Sequence, residues 1–379
     1  MYTLDCWQKR VEFDPHKHYG FVTVTAPARF DFIGGWTDTP PYYFDNVGCV
    51  LNTSLQLIEC GKQQTLRNDD VWIKITISSA KEFSVTENSC RLTHPEQNLI
   101  ISKTLEFLQL YRPGISIEIT NQIPKGSGLG GSSLLVASIL AGLWGFFLGA
   151  GFIREHLNGL INNVLLIEQL MESGGGWQDQ IGGLFPGLKL IETTPEKPCN
   201  YSISYLESTC EQLSSTSLII DTRIQRKAVK ILNSIRQKYI NRDRKVLEML
   251  KTIAVNAKLG FTLLERNDIE SFASLLSESW EMVNEIESGI VEPVNVLKNI
   301  CGNDLIGHKI GGAGGGGFAL AIFEDIEKKE YYRKKIQNSL KNCLMYDPVF
   351  CETGLTIIQD NSLCRPDAQI VCIDKIENV

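Results

Sequence analysis

A glycine- and serine-rich run from Pro124 to Ser133 lies directly before an apolar segment that begins at Leu134. Glycine lets a backbone approach an anion closely. A helix that starts at Ser132 or Ser133 would also present unpaired N–H groups and the positive end of its dipole to that anion. The run therefore predicts a loop that binds the phosphates of a nucleotide, with a glycine-rich turn capped by serine as the competing interpretation. The candidate residues are Lys125, Gly126, Ser127, Gly128, Leu129, Gly130, Gly131, Ser132 and Ser133.

Two carboxylates follow the apolar segment. Glu168 falls on the apolar stripe of a helix predicted from Arg154 to Met171, so its side chain should point into the core. A buried carboxylate needs a cation, either an arginine or a metal ion, and a structural salt bridge is the alternative to a metal site. Asp179 lies among the glycines of the run from Gly174 to Gly183. There it could orient a hydroxyl group or accept its proton, and an Asp in an ordinary turn is the alternative.

A third segment, from Ala26 to Tyr43, combines an arginine, an aspartate and several aromatic residues. Arg29 lies in a strand pattern, and a guanidinium at the end of a sheet can neutralise developing phosphate charge. Asp38 and the aromatic residues could bind the hydroxyls and the apolar face of a sugar, whereas the competing interpretation is a Pro-rich turn with solvent-facing charges. The glycines from Gly311 to Gly317 predict by themselves only a flexible hinge.

The composition restricts the class of protein. A chain of 379 residues with ordinary hydrophobic content is long enough for two domains. Its net charge of −7 argues against a nucleic-acid surface. The 11 cysteines include no Cys-x-x-Cys pair, which favours a reducing cytoplasm over a disulfide framework or a zinc site. The uncharged run from Ser132 to Phe152 is long enough to cross a membrane, but its glycines and the preceding loop favour a buried helix and no membrane partner.

Residue periodicity predicts an α+β protein in which a sheet half is followed by a helical half. Periodicity is lost between Thr194 and Ser217, which places the domain boundary there and predicts domains 1–200 and 201–379. Strands are predicted at Phe21–Phe32 with an interruption at Pro27, Val47–Leu57, Val71–Ser78, Ile115–Ile119, Ser217–Asp221 and Phe318–Phe323, and a loop that returns into a strand at Gly182–Ile191. Besides the two helices named above, helices are predicted at Asn98–Tyr111, Gln225–Ile240, Arg244–Arg266, Ile269–Glu287 and Ile326–Leu340.

The order of these segments resembles the GHMP kinase superfamily, the kinases of galactose, homoserine, mevalonate and phosphomevalonate. The segment from Ala26 to Asp38 resembles the first motif of that family, the glycine and serine loop the second, and the glycines before Phe318 the third. The strings from Gly34 to Tyr42 and from Gly174 to Gln180 are most similar to those of the L-fucokinases. The resemblance implies a two-lobed fold with an N-terminal α+β lobe, a ferredoxin-like C-terminal lobe, and a cleft between them where ATP and sugar meet.

The resemblance also implies roles for individual residues. Asp179 matches the catalytic aspartate, and Arg29 the arginine near the transferring phosphate. Ser132 and Glu168 match the Mg²⁺-binding residues. One departure is Gly131, where many members carry a serine, so a hydroxyl contact to phosphate is lost. The further candidates are Gly314 for ATP binding and Gly35, Trp36, Asp38 and Gly176 for sugar binding.

The function that this resemblance implies is ATP-dependent phosphorylation of the anomeric hydroxyl of L-fucose. The alternatives are a heptose 7-phosphate kinase, a non-catalytic sugar sensor built on the same fold, and a structural subunit. No Lys or Arg occurs from Gly34 to Val47 or from Gly174 to Leu188, so these loops offer no clamp for a sugar phosphate. Distant residues such as Arg223 or Lys227 could supply one. The aromatic faces of Trp36, Tyr42, Tyr43 and Trp177 are predicted to suit a 6-deoxy sugar.

Overall fold

The structure is a computed structural model. It describes residues 20–61, 72–92, 98–109, 114–207, 210–224, 228–286, 292–312, 314, 316–340, 343–360 and 369–379. Several predicted positions lie outside these ranges, among them Tyr111, Lys227, Ala313 and Gly315.

One sheet has seven strands in the order β15-β14-β1-β4-β7-β5-β6. Neighbouring strands run antiparallel except β5 and β7, which are parallel. The last two strands of the chain therefore lie beside the first, because β14 pairs with β1. The strands are β1 (Phe21–Ala26), β4 (Ile73–Ser79), β5 (Ser84–Glu87), β6 (Cys90–Arg91), β7 (Ile115–Asn121), β14 (Thr356–Asp360) and β15 (Gln369–Cys372).

A second sheet has eight strands, with the order β11-β12-β10-β13-β3-β8-β9 and with β2 also paired to β3. It joins early and late parts of the chain, because β13 pairs with β3. The strands are β2 (Ala28–Ile33), β3 (Gly48–Glu59), β8 (Leu188–Thr194), β9 (Lys197–Tyr205), β10 (Ser217–Asp221), β11 (Leu305–Ile310), β12 (Phe318–Phe323) and β13 (Leu344–Phe350).

Helices cover both sheets. The early helices are α1 (Tyr42–Asp45), α2 (Leu99–Leu108), α3 (Gly131–Leu148), α4 (Ala150–Glu155), α5 (Leu157–Leu170) and α6 (Gln178–Leu184). The later helices are α7 (Glu211–Thr216), α8 (Ala228–Ile240), α9 (Arg244–Glu265), α10 (Ile269–Ile286), α11 (Glu292–Cys301) and α12 (Ile326–Ser339).

Helix α3 is apolar on all sides and lies against the seven-stranded sheet. A Cβ atom at Gly142 would lie 2.8 Å from Ile77 Cδ1, and one at Gly145 would lie 3.2 Å from Val22 Cγ1, so glycine allows the close approach. Among the described residues α3 alone is long and apolar enough to cross a membrane, and 83% of it is buried inside the protein. That burial is typical of a core helix.

The hydrophobic residues form two clusters, one on each face of the β10–β12 strand pair. Ile219 and Leu320 belong to the larger cluster, which also contains α3 and the seven-stranded sheet. Leu218, Ala321 and Val294 belong to the smaller one, which packs α11 and α12 against the other face. Alternate residues of a strand point to opposite faces, so these strands serve both cores.

Several elements differ from the predictions. The apolar run breaks at Gly149, whose φ of 94° ends α3 before α4 begins. Residues 178–184 form α6 where glycines predicted a loop, because Gly182 and Gly183 are required for close packing rather than for a turn: a Cβ atom at Gly183 would lie 2.3 Å from Leu134 Cδ2.

The stretch between Thr194 and Ser217 is not an irregular linker. It contains β9 and α7, and β9 pairs with β8. Alternate residues of β9 are exposed, so Tyr201, Ile203 and Tyr205 alternate with serines, a strand pattern that the prediction did not use. The strands β13, β14 and β15 and the helix α11 were also not predicted. The division of the chain into domains 1–200 and 201–379 stays a prediction.

Candidate active site

The glycine loop after β7 turns through alternate glycines. Gly126, Gly128 and Gly130 have φ values of 76°, 83° and 77°, which L side chains rarely adopt. Helix α3 begins at Gly131, earlier than predicted, and its N-cap Gly130 has no side chain to cap the first amides. These amides are therefore available to an anion, as a phosphate-binding loop requires.

The loop lines a cleft of about 540 Å³, a volume within the usual range of small-molecule sites. The opposite wall includes Glu87, Asn98 and Asn121, and Asp179 reaches the cleft from α6. The predicted loop and the predicted acid therefore face one space. Of the predicted phosphate-binding residues, Lys125, Gly126, Ser127, Gly128, Gly130, Gly131 and Ser132 line the cleft, whereas Leu129 and Ser133 are fully buried.

Arg29 and Asp179 form an ion pair at this cleft. The buried guanidinium donates from Nε to Asp179 Oδ1 over 3.0 Å and also from Nη2 to the same oxygen. Its Nη1 donates to the carbonyl oxygen of Gly128 in the phosphate loop. Burial opposes the charge of Arg29, but the carboxylates of Asp179 and Asp31 outweigh it and raise the guanidinium pKa above its ordinary value. Arg29 thus fixes the orientation of Asp179 relative to the loop.

Glu168 points into the protein, as the sequence predicted, and is 4% exposed. Burial and the charge of Asp179 raise its pKa to about 8, although the nearby hydroxyl groups of Ser133 and Ser132 act in the opposite direction. Two carboxylates that repel each other at the start of α3 are a setting that a divalent cation would stabilise. Within the described ranges no group of three or more His, Cys, Asp or Glu side chains is arranged to hold a metal ion. Mg²⁺ bound by Glu168 and Ser132 would therefore need phosphate oxygens as further ligands.

The loop after β2, residues 34–41, meets the glycines before α6. We call it the acceptor loop, after the sugar acceptor that the sequence predicts there. Asp38 is fully buried, and its Oδ2 accepts a hydrogen bond of 3.1 Å from the backbone N–H of Gln178. A Cβ atom at Gly176 would lie 2.2 Å from the same oxygen, so only glycine fits there. Burial and the charge of Asp179 raise the pKa of Asp38 to about 7. Its Oδ1 has no hydrogen-bond partner among the described residues.

Most of the aromatic residues expected around the sugar are packed inside the protein instead. Trp177, Tyr42 and Tyr43 are 0%, 3% and 2% exposed. The ring of Trp177 packs edge-on against Tyr201, and that of Tyr42 against Tyr239. The prediction that these three rings contact the substrate is therefore wrong, because their surfaces are buried against other residues of the core.

Trp36 and Gly35 lie in a different setting. With Gly314 and Lys309 they line a small cavity of about 30 Å³, room for about one water molecule. Trp36 has a φ of 81°, an uncommon conformation for a bulky side chain. Gly314 lies beside the acceptor loop in this cavity rather than in the cleft of the phosphate loop, and its assignment to ATP stays a prediction.

The third glycine run, which ends at Gly317, contacts the phosphate loop through its backbone. The N–H of Phe318 donates to the carbonyl oxygen of Ser127 over 2.9 Å. A Cβ atom at Gly317 would lie 2.3 Å from that oxygen, so the two loops are in direct backbone contact. The run is therefore a packing element rather than the hinge that its composition alone predicted.

Two buried charges that tie this run to Arg29 were not predicted. Asp31 is fully buried and accepts hydrogen bonds of 2.6 Å from Lys309 Nζ and from the N–H of Gly312. Arg29 also contacts this carboxylate, because its Nη1 lies 3.5 Å from Oδ1 of Asp31. The available signal was Asp31 two residues after Arg29 in β2, and Lys309 in β11.

One cation next to the glycine run before α6 was also not predicted. Arg236 of α8 donates from Nη2 to the carbonyl oxygen of Gly174 over 3.2 Å. Of the distant cations that the sequence offered, Arg223 pairs with Asp221 at 3.2 Å, and Lys227 lies outside the described residues. Arg236 comes from the later half of the chain, so no local pattern places it at this loop.

Residues 98–187 match the family model of the GHMP kinases N terminal domain. The chain is 30% identical over 338 residues to the bifunctional fucokinase/GDP-fucose pyrophosphorylase of Arabidopsis thaliana. It is 28% identical over 345 residues to the L-fucokinase/L-fucose-1-P guanylyltransferase of Bacteroides fragilis. These alignments cover 83% and 84% of the chain but only 31% and 36% of the relatives, so the chain spans about a third of their length.

A third relative has a similar length. The D-glycero-alpha-D-manno-heptose 7-phosphate kinase of Campylobacter jejuni is 26% identical over 334 residues, which cover 81% of the chain and 91% of that protein. Among solved structures, the galactokinase of Lactococcus lactis in complex with galactose matches with a TM-score of 0.65 at 14% identity, over 93% of this chain and 97% of that one. The D-glycero-D-manno-heptose 1-phosphate kinase of Bacteroides thetaiotaomicron matches with a TM-score of 0.62 at 19% identity, over 88% and 97%. The two-lobed α+β fold predicted from the sequence is confirmed, and residues 98–187 of the chain form a GHMP kinases N terminal domain.

Proposed function

We propose that the protein is an ATP-dependent sugar kinase that phosphorylates the anomeric hydroxyl of L-fucose. The observation that carries the proposal is the position of Asp179. It lines the cleft of the phosphate loop, and it follows Gln178, whose N–H binds Asp38 of the acceptor loop. A phosphate donor in the cleft and a hydroxyl acceptor at Asp38 would therefore meet at Asp179.

The chemistry consists mainly of positioning. Amides of the loop from Gly126 to Ser133 hold the phosphates, and loss of water from the cleft strengthens these contacts. Both hydrogen bonds from Arg29 reach Oδ1 of Asp179, so Oδ2 is the oxygen that accepts the proton of the sugar hydroxyl. Glu168 and Ser132 would hold Mg²⁺, which would neutralise phosphate charge. Phosphoryl transfer is direct and needs no covalent enzyme intermediate.

The ion pair between Arg29 and Asp179 changes the role that the sequence suggested for Arg29. The sequence suggested a cation directed at the transferring phosphate, whereas here its two donors engage Asp179 and a third engages Gly128. We assign Arg29 the task of holding the catalytic carboxylate and the phosphate loop in register. Its charge still offsets phosphate charge across the cleft.

A heptose 7-phosphate kinase is the second candidate, and Arg236 is the observation that favours it. A sugar phosphate needs a cationic clamp at the end of the acceptor remote from the reacting hydroxyl. Arg236 reaches Gly174 in the glycine run that leads to Asp179. The relative from Campylobacter jejuni also has a length similar to that of the chain.

Steady-state assays with saturating ATP separate the candidates. The panel contains L-fucose, D-galactose and the heptose 7-phosphate, and the protein with Asp179→Asn is the control for contaminating kinases. We expect the highest kcat/KM for L-fucose. A higher value for the heptose phosphate that falls at least about 10-fold in Arg236→Gln, as loss of a charge-assisted contact predicts, would replace L-fucose with the sugar phosphate.

Binding without turnover would identify a sugar sensor instead. Asp179 and most residues of the glycine loop line one cleft, and the charge of Asp179 acts on the buried Glu168. A sensor has no need of that combination. Absence of ATP turnover with every sugar of the panel, together with saturable sugar binding, would support the sensor. We place the protein in the cytoplasm, where ATP is available and scattered cysteines stay reduced.

A further inference from the structure

Three fully buried polar residues form a row across the strands beneath α6. Asp31 of β2 is directly opposite Asn52 of β3, and Asn52 is directly opposite Lys189 of β8. Residues directly opposite each other on paired strands point to the same face of a sheet. We call these three residues the polar row. Asp31 holds the third glycine run, as described above, and the other two residues contact α6.

Lys189 binds the C-terminal end of α6. Its Nζ donates to the carbonyl oxygens of Gly182, Phe185 and Gly187 over 2.8, 2.9 and 2.9 Å, so all three N–H bonds of the ammonium have acceptors. The last carbonyls of a helix lack intrahelical partners and carry partial negative charge. A buried ammonium is tolerated only with such a set of partners. Lys189 therefore supplies hydrogen-bond donors to the carbonyl groups at the C-terminal end of α6, the helix whose first turn carries Asp179.

Asn52 binds the other end. Its Nδ2 donates to the carbonyl oxygen of Gln178 over 3.1 Å, and Gln178 is the residue before Asp179. Between the two ends, α6 touches the sheet at Gly182, where a Cβ atom would lie 2.8 Å from Asn52 Nδ2 and 3.1 Å from Arg29 Cβ. The helix is thus held at both ends and pressed onto the sheet in the middle.

We propose that Asn52 and Lys189 are positioning residues, which fix both ends of α6 and so set the distance of Asp179 from the phosphate loop. The inference rests on the proposed catalytic role of Asp179. Arg29 orients the carboxylate, whereas Asn52 and Lys189 hold the backbone that carries it. A misplacement of about 1 Å at a reacting group can cost about 10²-fold in rate, so loss of either contact should lower kcat.

The test uses Asn52→Leu and Lys189→Met, which keep the approximate volume and remove the donors. For Asn52→Leu we expect kcat to fall about 10-fold, with the Kd of an ATP analogue within about twofold of wild type. Thr193→Val is the matched control, because Thr193 is also buried on β8 but pairs with Gly48 at the far end of the strand. It should keep the wild-type kcat. If Lys189→Met does not fold, Asn52→Leu decides alone.

A double-mutant cycle separates positioning from a general loss of structure. In the Asp179→Asn background, Asn52→Leu should lower the remaining single-turnover rate less than about twofold, because the group that it positions is gone. An equal loss in both backgrounds, or a folded Asn52→Leu with wild-type kcat, would overturn the inference while the kinase assignment stands. Absence of turnover in the wild-type protein with every sugar of the panel would overturn both.

Discussion

The phosphate loop and the acceptor side would hold their proposed ligands by different means. The loop offers backbone amides from a short stretch of chain, positioned by positive φ angles at alternate glycines. The acceptor side depends on side chains from distant segments, since the buried carboxylate of Asp38, whose pKa is raised to about 7, accepts a hydrogen bond from the N–H of Gln178. A main-chain site depends on local conformation, whereas a site built from buried charges depends on which segments the fold brings together.

The largest expected effect is at the carboxylate shared by both sides. Asp179→Asn should lower kcat by about 10²-fold or more, because the amide cannot accept a proton. Asn fills the same volume and keeps an oxygen for Arg29, so the affinity for an ATP analogue should stay within about twofold. Single-turnover phosphoryl transfer and analogue titration measure the two quantities. Wild-type kcat in this variant would contradict the assignment of Asp179.

The next effect tests whether the acceptor side depends on close packing. In Gly176→Ala the new Cβ atom would lie 2.2 Å from Asp38 Oδ2, so Asp38 must move. We expect kcat/KM for the sugar to fall on the order of 10- to 100-fold with little change in the Kd of an ATP analogue. Gly151→Ala is the control, because a Cβ atom there meets nothing within 4 Å. Equal effects of the two substitutions on kcat/KM would show that Asp38 is not held by this contact.

A smaller effect is expected on the Mg²⁺ requirement of the reaction. Glu168→Gln removes a negative charge that Mg²⁺ prefers in a ligand, so the Mg²⁺ concentration for half-maximal activity should rise about 10-fold. Activity measured against Mg²⁺ at constant ATP gives this value, and thermal unfolding gives the stability of the variant. A large drop in Tm with unchanged Mg²⁺ dependence would favour the structural salt bridge that the sequence left open.

The smallest effect is on stability, and it follows from the raised pKa values. The folded protein holds the protons of Asp38 and Glu168 at pH values where the unfolded chain, with ordinary pKa values of 3.8 and 4.5, has lost them. The free energy of unfolding of the ligand-free protein should therefore fall as pH rises, by on the order of 1 kcal/mol per pH unit for each group. For Asp38 the decrease should end near pH 7, and for Glu168 near pH 8.

Urea unfolding at a series of pH values measures this slope. Asp38→Asn and Glu168→Gln should each flatten it, since neither amide titrates. Asp374, whose side chain is 71% exposed, supplies the control variant Asp374→Asn, which should leave the slope unchanged. A slope that is the same in wild type and in both buried variants would contradict the raised pKa values.

Local patterns predicted the elements that depend on neighbours in sequence. The strand β10 has the predicted bounds, and α9 differs from its prediction by one residue, because strong periodicity or a capping residue such as Asp243 marks them. The terminal strands β14 and β15 escaped prediction, because β14 depends on pairing with β1, its distant neighbour in sequence, and β15 depends on pairing with β14.

The sequence by itself determined the conformation of the glycine loop, the inward orientation of Glu168 and the resemblance to the GHMP kinases, since glycine conformations, helix starts and helical periodicity are local properties. Only the tertiary structure decided that Arg29 pairs with Asp179, 150 residues away, that Trp177 is part of the core, and that Asn52 and Lys189 lie side by side beneath α6. These contacts depend on strand register and on the packing of helices over sheets. A shift of one residue in a strand would send each of its side chains to the opposite face.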